Sequence, residues 1–323
     1  MLQTRYLLGR LRQSALLTVL VTVVVFGLLH LLPGGPLQAL LGEQAGVDPA
    51  SIRRAEELIG FHKPLHERYV EWVLGLARGD FGTSWTVAAG RPVGGILATH
   101  IVNTLLLTGI STLISLAAGL ALGFAAAVWQ HRWVDHLATL LAVAGSCVPA
   151  FWFGLMLIVL FAVNAGWFPA GDAYPVGKTG LRDRVPYLVL PVITLSLASI
   201  ASWSRYARSS LLETLHQDYV RTARAKGLAG RRVIFGHAVP NALMPLITIV
   251  GLDIPHLLAG ATVTETVFNY PGMGRLFLTS LQMYDWPIVQ TIALLLGVSV
   301  VLANLGAEVC YALVTPQLRS EAA

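Results

Sequence analysis

Charge inside apolar sequence is where chemistry would sit in this chain. Two acids qualify, Asp253 and Glu308, each the sole acid of a long apolar run. A carboxylate at the middle of a membrane span costs about 2.5–3.5 kcal/mol on insertion scales, so it normally faces a cavity or a partner. Asp253 lies between Gly251 and Pro255, with His256 three residues on, in a helix that the Gly and Pro mark for a local break. The pair Asp253 and His256 suits positions lining a solute pathway, or a proton relay. The plain alternative is a hydrogen bond to a neighbouring span or a snorkelling side chain. Glu308 stands near the end of the last run and is expected to be structural or interfacial.

Other polar groups carry less. His62 and His66 share a helical face at metal-ligand spacing, but two ligands without a third read as solvated positions. His30 and His256 would hold a haem only as a facing pair, which nothing specifies. Cys147 and Cys310 lie in apolar stretches and read as small buried hydrophobes, not as a disulfide or metal site. No G-x-x-x-x-G-K-[ST], H-E-x-x-H or G-x-S-x-G occurs. Walker-type phosphate binding and the commonest zinc and serine hydrolase chemistries are therefore not expected. Gly79-Asp80 lies outside the apolar runs with no second acid opposite, which argues against an aspartyl intramembrane protease. The sequence thus predicts no catalytic set, no metal site and no cofactor resident in this chain.

The elements that must position these residues follow from composition. Of 323 residues, 55% are hydrophobic and only 12% charged, with 22 Lys+Arg against 17 Asp+Glu. Soluble domains are about 25% charged, so there is too little charge to clothe a soluble enzyme. Disorder and nucleic-acid binding fall for the same reason. Six stretches are long and apolar enough to cross about 30 Å of hydrocarbon: 14–32, 101–128, 137–163, 187–204, 241–264 and 288–314. Arg5, Arg10 and Arg12 precede the first, but its length and the Pro33-Gly34-Gly35-Pro36 that follows argue for a retained span over a signal peptide. An all-α polytopic membrane protein with six transmembrane helices is expected.

Six spans place both termini on one side. The loop between spans four and five holds Arg205, Arg208, Arg221, Arg224, Lys226, Arg231 and Arg232, which predicts cytoplasmic termini by the positive-inside rule. The segment between spans one and two is then an extracytoplasmic helical piece. Asp48 and Pro49 open one helix that Gly60 stops, and Pro64 opens another with Leu65, Tyr69, Trp72 and Leu76 on one face. A turn, Gly79-Asp80-Phe81-Gly82-Thr83-Ser84, closes the region. The expected organisation is 1–100 as first span plus outer segment, 101–318 as a five-helix core containing the loop 205–240, and 319–323 as a tail.

Within that loop, Asp218 is expected to cap a short helix running through Lys226, with Gly227 as the left-handed residue that ends it. Its face of Val220, Ala223 and Gly227 is small and apolar, and would fit a partner's groove. Read by composition alone, it would be a basic loop at lipid headgroups.

The spacing favours the first reading. Arg221-Thr222-Ala223, then Gly227, His237, Val239 and Pro240 fall at the positions of E-A-A-x3-G-x9-I-x-L-P, so the segment resembles permeases of binding-protein-dependent ABC importers. The departures at Arg221, Thr222 and His237 resemble the peptide/nickel branch, as does the run from Asp218 and Tyr219 to Leu228. Arg10-Leu11, Pro33 to Pro36, Gly79 to Ser84 and Glu265 to Leu276 are similar to the B-type subunit of dipeptide and oligopeptide importers. The tail Pro316-Gln317-Leu318-Arg319 is a weakened form of that family's ending.

This resemblance implies a permease subunit, not an enzyme, in a bacterial inner membrane. Its partners would be a second homologous permease, two cytoplasmic ATPases that bind ATP and Mg, and an extracytoplasmic solute-binding protein. Asp218, Tyr219, Arg221, Thr222, Ala223, Arg224, Lys226, Gly227 and Pro240 would form the coupling segment at an ATPase. Asp80, Phe81, Thr83 and Ser84 would lie toward the binding protein. A proton-coupled secondary transporter and a non-transporting scaffold are the competing readings. Dipeptide, longer peptide, glutathione-like peptide, nickel complex and sugar all remain open as cargo.

Overall fold

A computed structural model describes residues 2–31, 63–175, 177 and 180–314. The expected helix at Asp48, the Pro33 to Pro36 turn, His62 and the tail from Thr315 lie outside these residues, as do the side chains of His30, His256, Glu308 and Cys310. Apart from one isolated antiparallel bridge between Thr83 and Pro92, all regular structure among the described residues is helical.

In chain order the helices are α1 (Leu2–Leu31), α2 (Leu65–Ala77), α3 (Val93–Val128), α4 (Trp133–Cys147), α5 (Ala150–Leu157), α6 (Leu181–Leu215), α7 (Asp218–Ala225), α8 (Gly230–Val233), α9 (Val239–Val267), α10 (Met273–Gln282) and α11 (Trp286–Val314). Among the described residues, five helical stretches are long and apolar enough to cross a membrane: Gly9–Gly27, Val93–Val128, Arg182–Leu215, Gly230–Gly251 and Trp286–Gly306. A sixth crossing is made only if α4 and the helix Ala150–Asn164, bent by 102° at their junction, are one span.

That bend differs from the straight third span expected over 137–163, and Pro149 explains it. A residue before proline is driven out of the α region, and Val148 is extended at φ −81°, ψ 122°. Beyond the bend, α5 runs into a π-helical turn, Ile158–Asn164. Cys147, expected to be buried, sits at this corner and is exposed. The local break expected around Asp253 is absent, because α9 is continuous from Val239 to Val267.

The helices gather into two compact units. The first comprises the described residues within 1–10, 105–270 and 302–323. Its core gathers Leu107, Leu190, Trp203, Phe268 and Tyr270 around α6. Helices approach closely there: a Cβ on Gly123 of α3 would lie 2.3 Å from the Ser204 carbonyl oxygen of α6, so only glycine fits. The second unit comprises the described residues within 11–104 and 271–301, with Val93, Leu97, Leu276, Ile288 and Ile292 as its core. Here α2 begins at Leu65 as expected, and its Tyr69 and Trp72 rings pack on Phe26 of α1.

Candidate functional site

The loop 205–240 is built from the end of α6, then α7, α8 and a π-helical turn Ile234–Ala238 that leads into α9. Helix α7 is short, and its ends explain why it holds. Gln217, not Asp218, is the N-cap; Asp218 is the first helical residue and places its charge in the first turn, where the helix dipole favours it. At the other end Gly227 adopts φ +76°. Its N–H reaches the Arg224 carbonyl at 3.0 Å, and the Leu228 N–H reaches that of Ala223 at 3.4 Å. This is the double closure of a Schellman motif, with Leu228 and Ala223 in the same apolar cluster.

The apolar face of α7 is turned differently from expectation. Val220 and Ala223 are buried against Val233, Leu215 and Leu228 of the chain itself, while Gly227 is exposed. What α7 offers outward is polar: Asp218, Tyr219, Arg221, Thr222, Arg224 and Lys226 are all exposed. The Arg221–Asp218 ion pair, 3.6 Å apart with both side chains in solvent, contributes little. Desolvation raises the Tyr219 phenol above its ordinary range.

Pro240 lies in the first turn of α9, but the helical stretch does not begin there. The chain is helical without interruption from Gly230 to Val267, and the π turn stands immediately before the proline. A proline inside a helix removes one N–H and crowds the preceding turn, which a wider turn relieves. The Asn241 side-chain amide donates to the His237 carbonyl at 2.6 Å within the same stretch.

Asp253 on α9 is half-buried, and its Oδ2 accepts a 2.6 Å hydrogen bond from the indole Nε1 of Trp203, a buried residue of α6. The acid thus has the neighbouring-span partner that the plain reading required. His256 lies on the same helix three residues on.

The turn Gly79 to Ser84 divides by exposure. Asp80 and Thr83 are exposed, and Asp80 accepts the Gly82 N–H at 2.9 Å. Phe81 packs on the Val93 and Leu97 cluster, and Ser84 is buried. Ser84 Oγ donates to Asp285 at 2.5 Å, and the same carboxylate oxygen accepts the N–H groups of Trp85, Thr86 and Val87 at 3.1, 3.0 and 2.9 Å. Asp285 is fully buried and sequence reasoning missed it. Its position just before α11, with Pro287 in the first turn, looks like a helix cap, and a partner some 200 residues earlier leaves no local trace. Among the described residues no cluster of three or more His, Cys, Asp or Glu is arranged to hold a metal.

The likeness to known proteins runs the length of the chain. Residues 119–320 match the family model "Binding-protein-dependent transport system inner membrane component", and residues 1–112 match the model of its N-terminal region. The oligopeptide transport system permease protein AppB of Bacillus subtilis is 36% identical over 97% of this chain and 98% of its own length. The glutathione transport system permease protein GsiC of Salmonella typhimurium is 38% identical over the same shares. Among solved structures, an inward-facing MetNI methionine ABC transporter chain matches with TM-score 0.57 at 16% identity, over 68% of this chain and 97% of that one. A chain of an amino acid ABC transporter matches with TM-score 0.54 at 15% identity, over 68% and 94%. Those two likenesses concern the fold.

Proposed function

The chain belongs to the family of binding-protein-dependent transport system inner membrane components, and from that premise we propose that it is one of two homologous permease subunits forming the pathway of an ATP-driven importer of di- or oligopeptides. As a multi-pass inner-membrane permease it is not itself an ATPase; two cytoplasmic ATPase subunits bind ATP and Mg and drive it. The observation that carries this reading is α7. It is closed on itself by Gly227, held by Val220 and Ala223 to its own chain, and presents mainly polar and basic side chains outward. A basic loop that merely sat at lipid headgroups would not need so defined an end.

In this reading Asp218, Tyr219, Arg221, Thr222, Arg224 and Lys226 contact an ATPase, Ala223 and Gly227 fix the helix that carries them, and Pro240 with the π turn joins it to α9. Closure of the ATPases moves α7 as a body and switches the pathway between inward- and outward-facing states. Both termini and the loop face the cytoplasm, in keeping with its seven basic side chains. The core 101–318 forms the pathway, with Asp253 and His256 at its border. The turn carrying Asp80 and Thr83 faces the extracytoplasmic solute-binding protein, with Phe81 and Ser84 holding its shape. Two relatives named for oligopeptide and glutathione transport support a peptide cargo, glutathione being itself a small peptide.

The test is uptake by right-side-out vesicles containing the purified complex. Labelled dipeptide should enter only with binding protein outside and ATP inside, and a protonophore should leave the rate unchanged. Uptake that ignores ATP and collapses with the protonophore would make the chain a secondary transporter; binding without uptake would make it a scaffold.

A further inference from the structure

A partly buried ion pair lies apart from the outer turn and the pathway acid. Asp135, in the first turn of α4, has a side chain only 5% exposed. Arg208 of α6 donates to it through both arms of its fork, Nε to Oδ1 at 2.6 Å and Nη2 to Oδ2 at 2.9 Å. Oδ2 also accepts the N–H of His131 at 3.0 Å, in a turn where His131 takes a left-handed φ of 60°. A two-armed guanidinium–carboxylate contact fixes orientation as well as distance, which a single-point contact does not. Such a pair is weak evidence for stability, because desolvation of the buried Asp135 offsets its attraction to the half-buried Arg208. Its use is better sought in what it holds together.

Arg208 sits two turns before the end of α6, and that end is where α7 is attached. Leu215, the last residue of α6, packs both in the cluster of Val220, Ala223 and Val233 and in the cluster of Leu211, Ala238 and Ala242. A displacement of α7 therefore acts on the end of α6 as well as on Val233 of α8. Further along, α4 meets α6 through small surfaces: a Cβ on Gly145 would lie 3.1 Å from that of Ala201. Smooth apolar faces of that kind permit sliding. The ion pair adds a directed contact between the two helices near the start of α4.

We propose that Asp135 and Arg208 are a positioning pair that makes α4 travel with α6 when the coupling loop moves, so that the bent segment α4–α5 follows the stroke. This rests on the transport reading above. The pair touches neither cargo nor ATPase; it sets how completely a movement at α7 reaches the third span.

The experiment uses the full complex in proteoliposomes with its ATPases and binding protein, and reads cargo imported per ATP hydrolysed. Asp135→Asn and Arg208→Gln should keep hydrolysis within about twofold while import per ATP falls about fivefold or more, the range of ordinary coupling energies. Arg208→Lys, which keeps the charge but loses the fork, should fall part of the way. The exchanged pair D135R/R208D should recover import per ATP, a result that a general loss of stability would not give. The proposal is overturned if the single variants import per ATP as the unaltered complex does. It is equally overturned if import, hydrolysis and melting temperature fall together with no recovery in the exchanged pair. Spin labels on α4 and α6 give an independent readout. On nucleotide trapping their separation should hold in the unaltered complex and change in Asp135→Asn; equal behaviour in both removes the strut and leaves the transport reading standing. Failure of the transport reading shows itself separately, as an unaltered complex that imports nothing with ATP.

Discussion

Asp285 shows how much one side chain can organise. A single carboxylate oxygen takes the Ser84 hydroxyl and three successive backbone N–H groups, so the turn after Gly82 is shaped around it. Removing the acceptor would leave the buried Ser84 hydroxyl and three partly buried N–H groups without it, and hydrogen bonds to a charged group are worth about 1.5–3 kcal/mol each at the outset. Asp285→Ala should therefore destabilise the protein by about 3 kcal/mol or more, with Asp285→Asn intermediate because it keeps one acceptor. Thermal unfolding in detergent reads this directly, and an unaltered melting temperature in the alanine variant would dismiss the clasp. Ser84 was legible in the sequence as part of a distinctive turn, but not its inward direction. The direction is set by Asp285, which no local pattern joins to it.

Among the elements, α7 was the most legible, since its end is a local affair. Gly227 after a run of helix formers predicts a left-handed stop, and the Schellman closure supplies it. Gly227→Val would force a β-branched side chain into φ +76°, a backbone region such residues rarely enter. ATP hydrolysis should persist in the assembled complex while import falls more than about tenfold, because the strain of roughly 1–2 kcal/mol is relieved by displacing α7. Retained ATP-driven import in that variant would refute the coupling assignment. The bend between α4 and α5 was the least legible element. An uncharged run is read as one span by its length, yet Pro149 in its middle was the available signal. The opposite error fell on α9, where Gly251 and Pro255 suggested a break that the continuous helix does not have. A proline's lost hydrogen bond can be absorbed by a neighbouring turn, so the residue alone does not decide between a kink and a continuous helix.

For the molecule as a whole, the pathway role proposed for Asp253 can be tested apart from its structural one. Asp253→Asn separates charge from architecture, because the amide oxygen still accepts from Trp203 while the negative charge is gone. A pathway role predicts an inserted, stable protein whose peptide uptake is slowed about tenfold or more, an effect worth about 1.4 kcal/mol. Normal rate and affinity in uptake assays would reduce Asp253 to a tie between α6 and α9. That the spans are helical was readable from composition because a backbone in lipid must satisfy itself as helix; of the six expected, five are found among the described residues, and a sixth only if the bent pair is one span. Ties between distant residues, such as Asp135 with Arg208, depend on packing that no composition records. Assembly is shaped by one further property of α7. Eight residues are too few to be helical alone in water, yet Val220, Ala223 and Gly227 keep these eight helical on their own chain. The loss of conformational freedom is thus incurred at folding and not at docking, so under the coupling role proposed above an ATPase would meet a rigid key whose affinity is not reduced by ordering it. The same residues excised as a peptide would lack that advantage.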